Sequence, residues 1–525
     1  MKPLEAIVPR FALVLLAGGA QAASLAWPFH FSIPLMGVQQ GQPIWWLQWL
    51  ALSALAAVLL HTADWRRAAL CGWLFASAWL AGSVGWTFIA LHTYGGLPAP
   101  LAALAVLLFT GLMALFYAGA AGLFVWLAPS ARMLQMQLFM ALWLLAELAR
   151  GTWLTGFGWG AGGYAHVDGP LAALAPWLGV YGLDALAAAL AMALAQLLRS
   201  APARVGALLT IALLLALPPL LLRDLDGAAA PGASSGRLGV TLLQGNIAQN
   251  EKFETASGVP LALNWYAEQL QASHSALIIA PETAIPLLPQ QLPPGYWDAL
   301  QQRFANGTQA ALIGIPLGNY QQGYTNSVLG LQPGQAQPWR YDKQHLVPFG
   351  EFIPPLFKWF TMMMNIPLGD FNRGALRQPP FVWQGQRFAA NICYEDLFGE
   401  ELAGNFLDPA LSPTIFVNVS NLAWFGKGQA MDQHLQIARM RALEFERPFL
   451  LATNTGNTAI VDHRAHVSHA LARDTRGVLV GEVEGRTAVT PYAWWVARWG
   501  LWPYWLLALG LLGLAWWLKA RKINA

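Results

Sequence analysis

Phe388-Ala-Ala-Asn-Ile-Cys-Tyr-Glu-Asp396 is a short apolar, β-like run that stops on a thiol and passes at once into polar side chains. Such a stretch reads as a buried strand that delivers Cys393 to the end of a sheet. A thiol there is expected to reach solvent, with polar neighbours to tune it and free backbone N–H groups for an oxyanion. The only other cysteine, Cys71, lies in an apolar run, so no disulfide framework is implied. Taken alone, such a cysteine is more often an inert buried thiol, and the rest of the chain reverses that reading.

Working outward, further β-like runs stand at Leu238–Gln244, Ala276–Ala280, Ala310–Pro316, Thr414–Ser420, Phe449–Asn454 and Thr458–Asp462. Amphipathic helical stretches alternate with them at 257–272, 294–306, 396–406 and 430–446. This alternation predicts a layered α/β domain over residues 227–490, and about 260 residues suffice to bury a core. The domain opens on a linker, Gly227-Ala-Ala-Ala-Pro-Gly-Ala-Ser-Ser-Gly236. His463-Arg-Ala-His466 lacks a full metal-ligand set and reads as a hairpin loop.

The flanks differ. Of 525 residues, 56% are hydrophobic, only 11% are charged and 26 are Trp, and mean hydropathy is +0.42. These are membrane-protein values. Spanning candidates lie at 9–27, 44–61, 69–91, 99–128, 133–149, 171–198 and 204–222 in region 1–226, and at 499–518 in region 491–525. Trp45, Trp46, Trp494, Trp495, Trp499 and Trp502 mark the ends of apolar runs, as interfacial aromatics do. About eight transmembrane helices are therefore expected.

Lys2, Arg10, Arg66, Arg67, Arg132, Arg199, Arg204, Lys519, Arg521 and Lys522 fall on one side of this arrangement. Loops 28–43 and 92–98 on the other side hold no Lys or Arg. The bias puts both termini in the cytoplasm and 227–490 outside. Residues 10–22 also fit a signal peptide ending at Ala20-Gln21-Ala22, although the apolar run continues to Trp27 and favours a retained helix. Glu147 is an intramembrane carboxylate one turn from Arg150, which favours a structural pair. The Gly- and Trp-rich Gly151–Gly163 after it reads as interfacial. A net charge of +3 implies no nucleic-acid partner.

Two residues join Cys393 as chemical candidates. Glu282 follows Leu277-Ile-Ile-Ala-Pro281, and Lys343 lies in Arg340-Tyr-Asp-Lys-Gln-His-Leu-Val-Pro-Phe-Gly-Glu-Phe352. Carboxylate, ammonium and thiol make an acyl-transfer set: base, oxyanion stabiliser and nucleophile. Singly, Glu282 and Lys343 read as surface or capping residues. Phe352–Leu368, rich in Met, Phe and Pro, reads as a lid over lipid chains or as a core helix.

These contexts resemble the nitrilase superfamily and, more closely, its membrane-anchored branch, the bacterial apolipoprotein N-acyltransferases. The matching segments are Gln244-Gly-Asn-Ile, Pro281-Glu-Thr-Ala-Ile-Pro286, Lys343–Phe352, Ile392-Cys-Tyr-Glu395, Asn421-Leu-Ala-Trp-Phe-Gly426 and Gln436–Glu444. The resemblance implies a helical membrane bundle carrying an αββα sandwich. It also implies roles for Glu282 as proton acceptor, Lys343 as oxyanion stabiliser and Cys393 as nucleophile. Glu351 and Glu395 would be further essential carboxylates, with Tyr394 beside the nucleophile; physically the two carboxylates can hold Lys343 charged and oriented, the alternative being surface salt bridges. Phe253 would stand at the substrate entrance where the family commonly has Trp, losing an indole N–H.

The implied partners are a phospholipid donor (phosphatidylethanolamine) and a diacylglyceryl-modified apolipoprotein, without metal or diffusible cofactor. The expected setting is a monomer in the inner membrane with its catalytic domain in the periplasm. Two rivals remain open: a membrane-anchored amidohydrolase with the same triad, and a lipid transporter with an accessory domain.

Overall fold

The computed structural model describes residues 8–127, 129–197, 234–335, 337–353 and 371–523, together with Leu208, Ile211 and Ala212. Two compact units emerge, one from 1–88, 98–229 and 499–525, the other from 89–97 and 230–498.

The first unit is helical: α1 (Val8–Leu25), α2 (Trp45–Leu60), α3 (Trp65–Val84), α4 (Ala99–Met113), α5 (Leu115–Leu127), α6 (Arg132–Thr152), α7 (Ala175–Leu197) and a C-terminal helix, Trp502–Ile523. Small residues let these helices approach closely. A Cβ on Gly18 of α1 would lie 2.2 Å from the Phe75 carbonyl of α3, and one on Gly72 of α3 would lie 2.5 Å from the Tyr117 carbonyl of α5.

Three described helical stretches are long and apolar enough to cross a membrane, or up to four if a broken helix pair counts as one. The shortfall from eight has visible causes. Helix α1 has 18 residues and α2 has 16. Helix α6 carries Arg132, Glu147 and Arg150. The expected span 204–222 lies largely outside the described residues, as does most of 352–368.

Glu147 and Arg150 form the expected pair, 3.0 Å apart and fully buried. Tyr117 donates its hydroxyl to Glu147, and Arg150 Nη1 donates to the carbonyls of Phe157 and Trp159 at 2.6 and 2.8 Å. The ion pair thereby clamps the Gly- and Trp-rich segment. Asp184, a buried carboxylate in α7 that hydropathy hides, accepts from Gln48 and Trp143.

The described residues of the second unit form two six-stranded sheets. Sheet one comprises β1 (Ser234–Gln244), β2 (Leu277–Ala280), β3 (Ala310–Asn319), β4 (Gly323–Leu331), β5 (Trp339–Asp342) and β12 (Gly477–Arg486), in the order β12-β1-β2-β3-β4-β5. Sheet two comprises β6 (Phe381–Trp383), β7 (Gln386–Ile392), β8 (Ile415–Ser420), β9 (Phe449–Thr453), β10 (Ala459–Val461) and β11 (Val467–Ala470), in the order β11-β10-β9-β8-β7-β6. Each has a parallel centre, β1-β2-β3 and β7-β8-β9, with antiparallel flanks.

Alternate residues of the two sheets face each other: Val240, Leu242, Leu277, Ile279 and Leu312 share one core with Ile392, Ile415, Val417, Val419 and Leu450. The opposite face of sheet one (Leu243, Ile278, Ile313) packs on α8 (Gly258–Ala272) and α9 (Tyr296–Ala305). That of sheet two (Phe416, Phe449, Leu451) packs on α10 (Gln429–Phe445). The result is a four-layer αββα sandwich. Strands covered on both faces explain runs such as Leu277-Ile-Ile-Ala280, in which each large side chain contributes about 1.5–3 kcal/mol of burial.

Candidate active site

Four of the parallel strands each send a polar residue just beyond their C-terminal ends to one rim of the sandwich, where open α/β sheets present their chemistry. Glu282 follows β2, Cys393 follows β7, Asn421 follows β8 and Asn454 follows β9. Their amides interlock: Asn454 donates to Asn421 Oδ1 at 3.0 Å, and Asn421 Nδ2 donates to Gln249 at 2.8 Å.

Glu282 is a fixed carboxylate. Its Oε1 accepts from Asn326 Nδ2 at 2.7 Å and its Oε2 from the Asn421 backbone N–H at 2.8 Å. Lys343, placed by the end of β5 and by its own N–H to the Asn326 carbonyl, is 1% exposed. Its ammonium donates to Glu351 Oε1 at 2.8 Å and stands 3.6 Å from Glu282 Oε1. Burial alone would push this amine down; Glu351 and Glu282 overcome that and hold it above its ordinary range. Glu351 is fixed in turn by Asn326 Nδ2 and the Val347 N–H, each at 2.9 Å.

Cys393 departs from expectation in two ways. Strand β7 stops at Ile392, so the cysteine opens the 3₁₀ turn Cys393–Leu397, with φ at +53°, an uncommon value for a residue with a side chain. It is 8% exposed rather than open to solvent, because it belongs to the inter-sheet core together with Ile392, Val419 and Leu422. Burial, then the neighbouring Glu282, push its thiol well above the ordinary range, and Lys343 opposes them. Asn418 Nδ2 pins the Cys393 carbonyl at 2.9 Å.

Glu395 corrects a second expectation. Among the described residues Lys343 ion-pairs with Glu351 and Glu282, not with Glu395. Glu395 instead accepts backbone N–H bonds from Ile392 (2.6 Å), Gln344 (2.7 Å) and His345 (3.1 Å), and the Tyr341 hydroxyl at 2.9 Å. It staples the cysteine turn to the lysine loop. Burial raises it to about 7, against the backbone N–H bonds and the positive charge of Lys343. Tyr394 is buried with its ring beside the stacked His345 and Phe398 rings, 5.7 and 5.2 Å from them. Phe253 is 53% exposed, on a turn after β1.

Asn326, Asn421 and Lys252 are members of this site that the sequence reading missed. Asn326 lies in β4, whose polar Thr-Asn-Ser centre masks a strand. Lys252 precedes Phe253 in sequence yet is buried, its Nζ donating to the Glu282 carbonyl at 3.0 Å.

Residues 21–193 match the apolipoprotein N-acyltransferase N-terminal domain, and residues 239–492 match the carbon-nitrogen hydrolase family. The apolipoprotein N-acyltransferase of Verminephrobacter eiseniae is 57% identical across 93% of this chain and 92% of its own length. That of Ralstonia nicotianae is 43% identical across 85% of each. A carbon-nitrogen hydrolase of Helicobacter pylori overlays 51% of this chain and 94% of its own at 15% identity, with a TM-score of 0.35. With both halves matched in order and relatives alike over nearly their whole length, the chain belongs to the apolipoprotein N-acyltransferase family.

Proposed function

We propose that this protein transfers a fatty acyl chain from a phospholipid to the N-terminal amine of a lipoprotein, through a thioester on Cys393. The observation that carries this reading is the buried ammonium of Lys343, 2.8 Å from Glu351 and 3.6 Å from Glu282, in the same electrostatic cluster as the Cys393 thiol. Glu282 takes the thiol proton and the thiolate adds to the sn-1 ester carbonyl. Lys343, with a backbone N–H near Tyr394, stabilises the oxyanion. The C–O bond breaks and the lysophospholipid alkoxide leaves with the proton from Glu282. The amine of a diacylglyceryl-cysteine then adds to the thioester, its proton passes to Glu282, and the C–S bond breaks as Glu282 returns that proton to the sulfur, giving amide and free thiol.

Phosphatidylethanolamine is the donor we assign. The chain would cross the inner membrane about eight times as a monomer, with both termini cytoplasmic and the catalytic domain in the periplasm, a topology supported by the Lys and Arg bias of the loops. Both substrates then stay in the membrane throughout. Incubation with phosphatidylethanolamine vesicles and intact-mass analysis tests the reading. A wild-type thioester that Cys393→Ser lacks is expected; no adduct on the wild type, or an equal adduct on Cys393→Ser, sinks it. Fatty acid release without acylation of a lipopeptide amine would favour the amidohydrolase.

A further inference from the structure

Lys252 is a buried lysine that the proposed mechanism leaves without a part. It sits in the turn after β1, with its backbone N–H donating to the Ala248 carbonyl at 3.0 Å. The side chain is 2% exposed, and Nζ donates to the Glu282 carbonyl at 3.0 Å. Removing an ammonium from water costs several kcal/mol unless opposite charge is close. The groups whose negative charge acts on it are Glu282 and, once ionised, Cys393.

The charge balance of the site gives this position meaning. Glu282 and Glu351 share Lys343, which leaves one negative charge in excess before any thiolate forms. The other ionisable groups around the thiol do not remove that excess. Asp396 is paired with His434 at 3.0 Å, and Glu395 is held by three backbone N–H groups and Tyr341. A thiolate formed there by loss of its proton to water would be a second uncompensated charge. With Lys252 charged, the cluster is neutral, and moving the proton from Cys393 to Glu282 leaves it neutral.

We infer that Lys252 is the second cation of this site, a positioning residue that holds Glu282 by its carbonyl and supplies the charge that makes the Cys393 thiolate accessible. This deepens the acyl-transfer reading and rests on it for the roles of Glu282 and Cys393. Burial brings the amine down to about 8, against the pull of Glu282 and Cys393, so its charge is present at neutral pH and fades above it.

The test is the pH dependence of Cys393 alkylation by iodoacetamide in the full-length protein, read by peptide mass so that Cys71 is counted separately. Lys252→Gln keeps a donor for the Glu282 carbonyl but has no charge; Lys252→Arg keeps the charge. At pH 7, Lys252→Gln is expected to react about tenfold more slowly, its profile moved up by about one pH unit, with Lys252→Arg within about threefold of wild type. Coincident wild-type and Lys252→Gln profiles would overturn the inference, because the hydrogen bond alone would then suffice. If Lys252→Gln does not fold, wild type and Lys252→Arg decide. Above pH 8 wild type should fall progressively behind the Arg variant, and superposed profiles there overturn the inference. Absence of a thioester on wild type with phosphatidylethanolamine, beside the expected alkylation shift, would count against acyl transfer while supporting the charge role.

Discussion

Asn326 Nδ2 donates to Glu282 Oε1 over 2.7 Å. The same nitrogen reaches Glu351 Oε1 at 2.9 Å, so one amide holds two carboxylates that both face Lys343. Removing a donor from an ionised buried acceptor costs about 1.5–3 kcal/mol. Asn326→Ala should therefore slow thioester formation by roughly ten- to a hundredfold. Asn326→Asp, which sets a third carboxylate against the other two, should do worse. Single-turnover intact mass with phosphatidylethanolamine measures both, and equal rates for Asn326→Asp and wild type would refute the clamp.

Removal of Lys343 leaves Glu282 and Glu351 without their shared ammonium, and breaking one side of a buried charge pair costs about 3–5 kcal/mol. Lys343→Met should lower thioester formation by about a thousandfold. Lys343→Arg should not restore it, because a forked guanidinium does not fit where an ammonium is 1% exposed between two carboxylates. Recovery by Lys343→Arg to within tenfold of wild type would show that charge alone is required.

Glu282→Gln is expected to split two properties of the thiol. Glu282 stands second only to burial in raising the Cys393 thiol, so removing its charge should lower that thiol and speed direct alkylation by iodoacetamide at pH 8. Acyl transfer should collapse at the same time, since the proton acceptor is gone. A parallel fall in both rates would contradict this assignment.

Glu395 gives a pH signature. Its folded value, raised by burial to about 7 from an ordinary 4.5, means that the fold favours the protonated form. Its titration therefore contributes stability that is fully present below about 4.5 and lost as pH rises through about 7, on the order of 3 kcal/mol. Glu395→Gln does not titrate, and its amide faces backbone donors, so it should melt below wild type. The gap in Tm should be wider at pH 5 than at pH 8. A gap that is constant or widens with pH would refute the buried protonated form.

In the helical unit, Arg150→Gln strands Glu147 and frees the carbonyls of Phe157 and Trp159. A loss of about 3–5 kcal/mol is expected, seen as a lower Tm in detergent. Glu147→Gln combined with Arg150→Gln should recover part of it. A double variant no better than the single would place the whole loss on the carbonyls.

Legibility in the sequence followed burial. Strands β2, β7, β8 and β9 stood out because both faces are covered and their residues run apolar. Strand β12 did not: Gly477-Val-Leu-Val-Gly-Glu-Val-Glu-Gly-Arg486 is an edge strand that mixes exposed and buried positions, and its pairing with β1 comes from the far end of the domain. Asn326 was lost with β4 for another reason: Thr325-Asn326-Ser327 is polar although buried, so the strand does not run apolar. Lys252, Asn326 and Asn421 reach Glu282 across separations of 30, 44 and 139 residues, and no local pattern marks such partners.

By itself the sequence determined the chemical groups and their settings. It placed a thiol after an apolar strand, a carboxylate after another, a lysine in a distinctive loop and long apolar runs on either side, because composition and periodicity are properties of short stretches. Only the tertiary structure decided that the thiol is buried, that Lys343 pairs with Glu351 rather than Glu395, that Glu395 instead staples two loops, and that a second lysine lies against Glu282. Desolvation and Coulomb attraction depend on distances across the two sheets, and those distances exist only once the strands have found their neighbours.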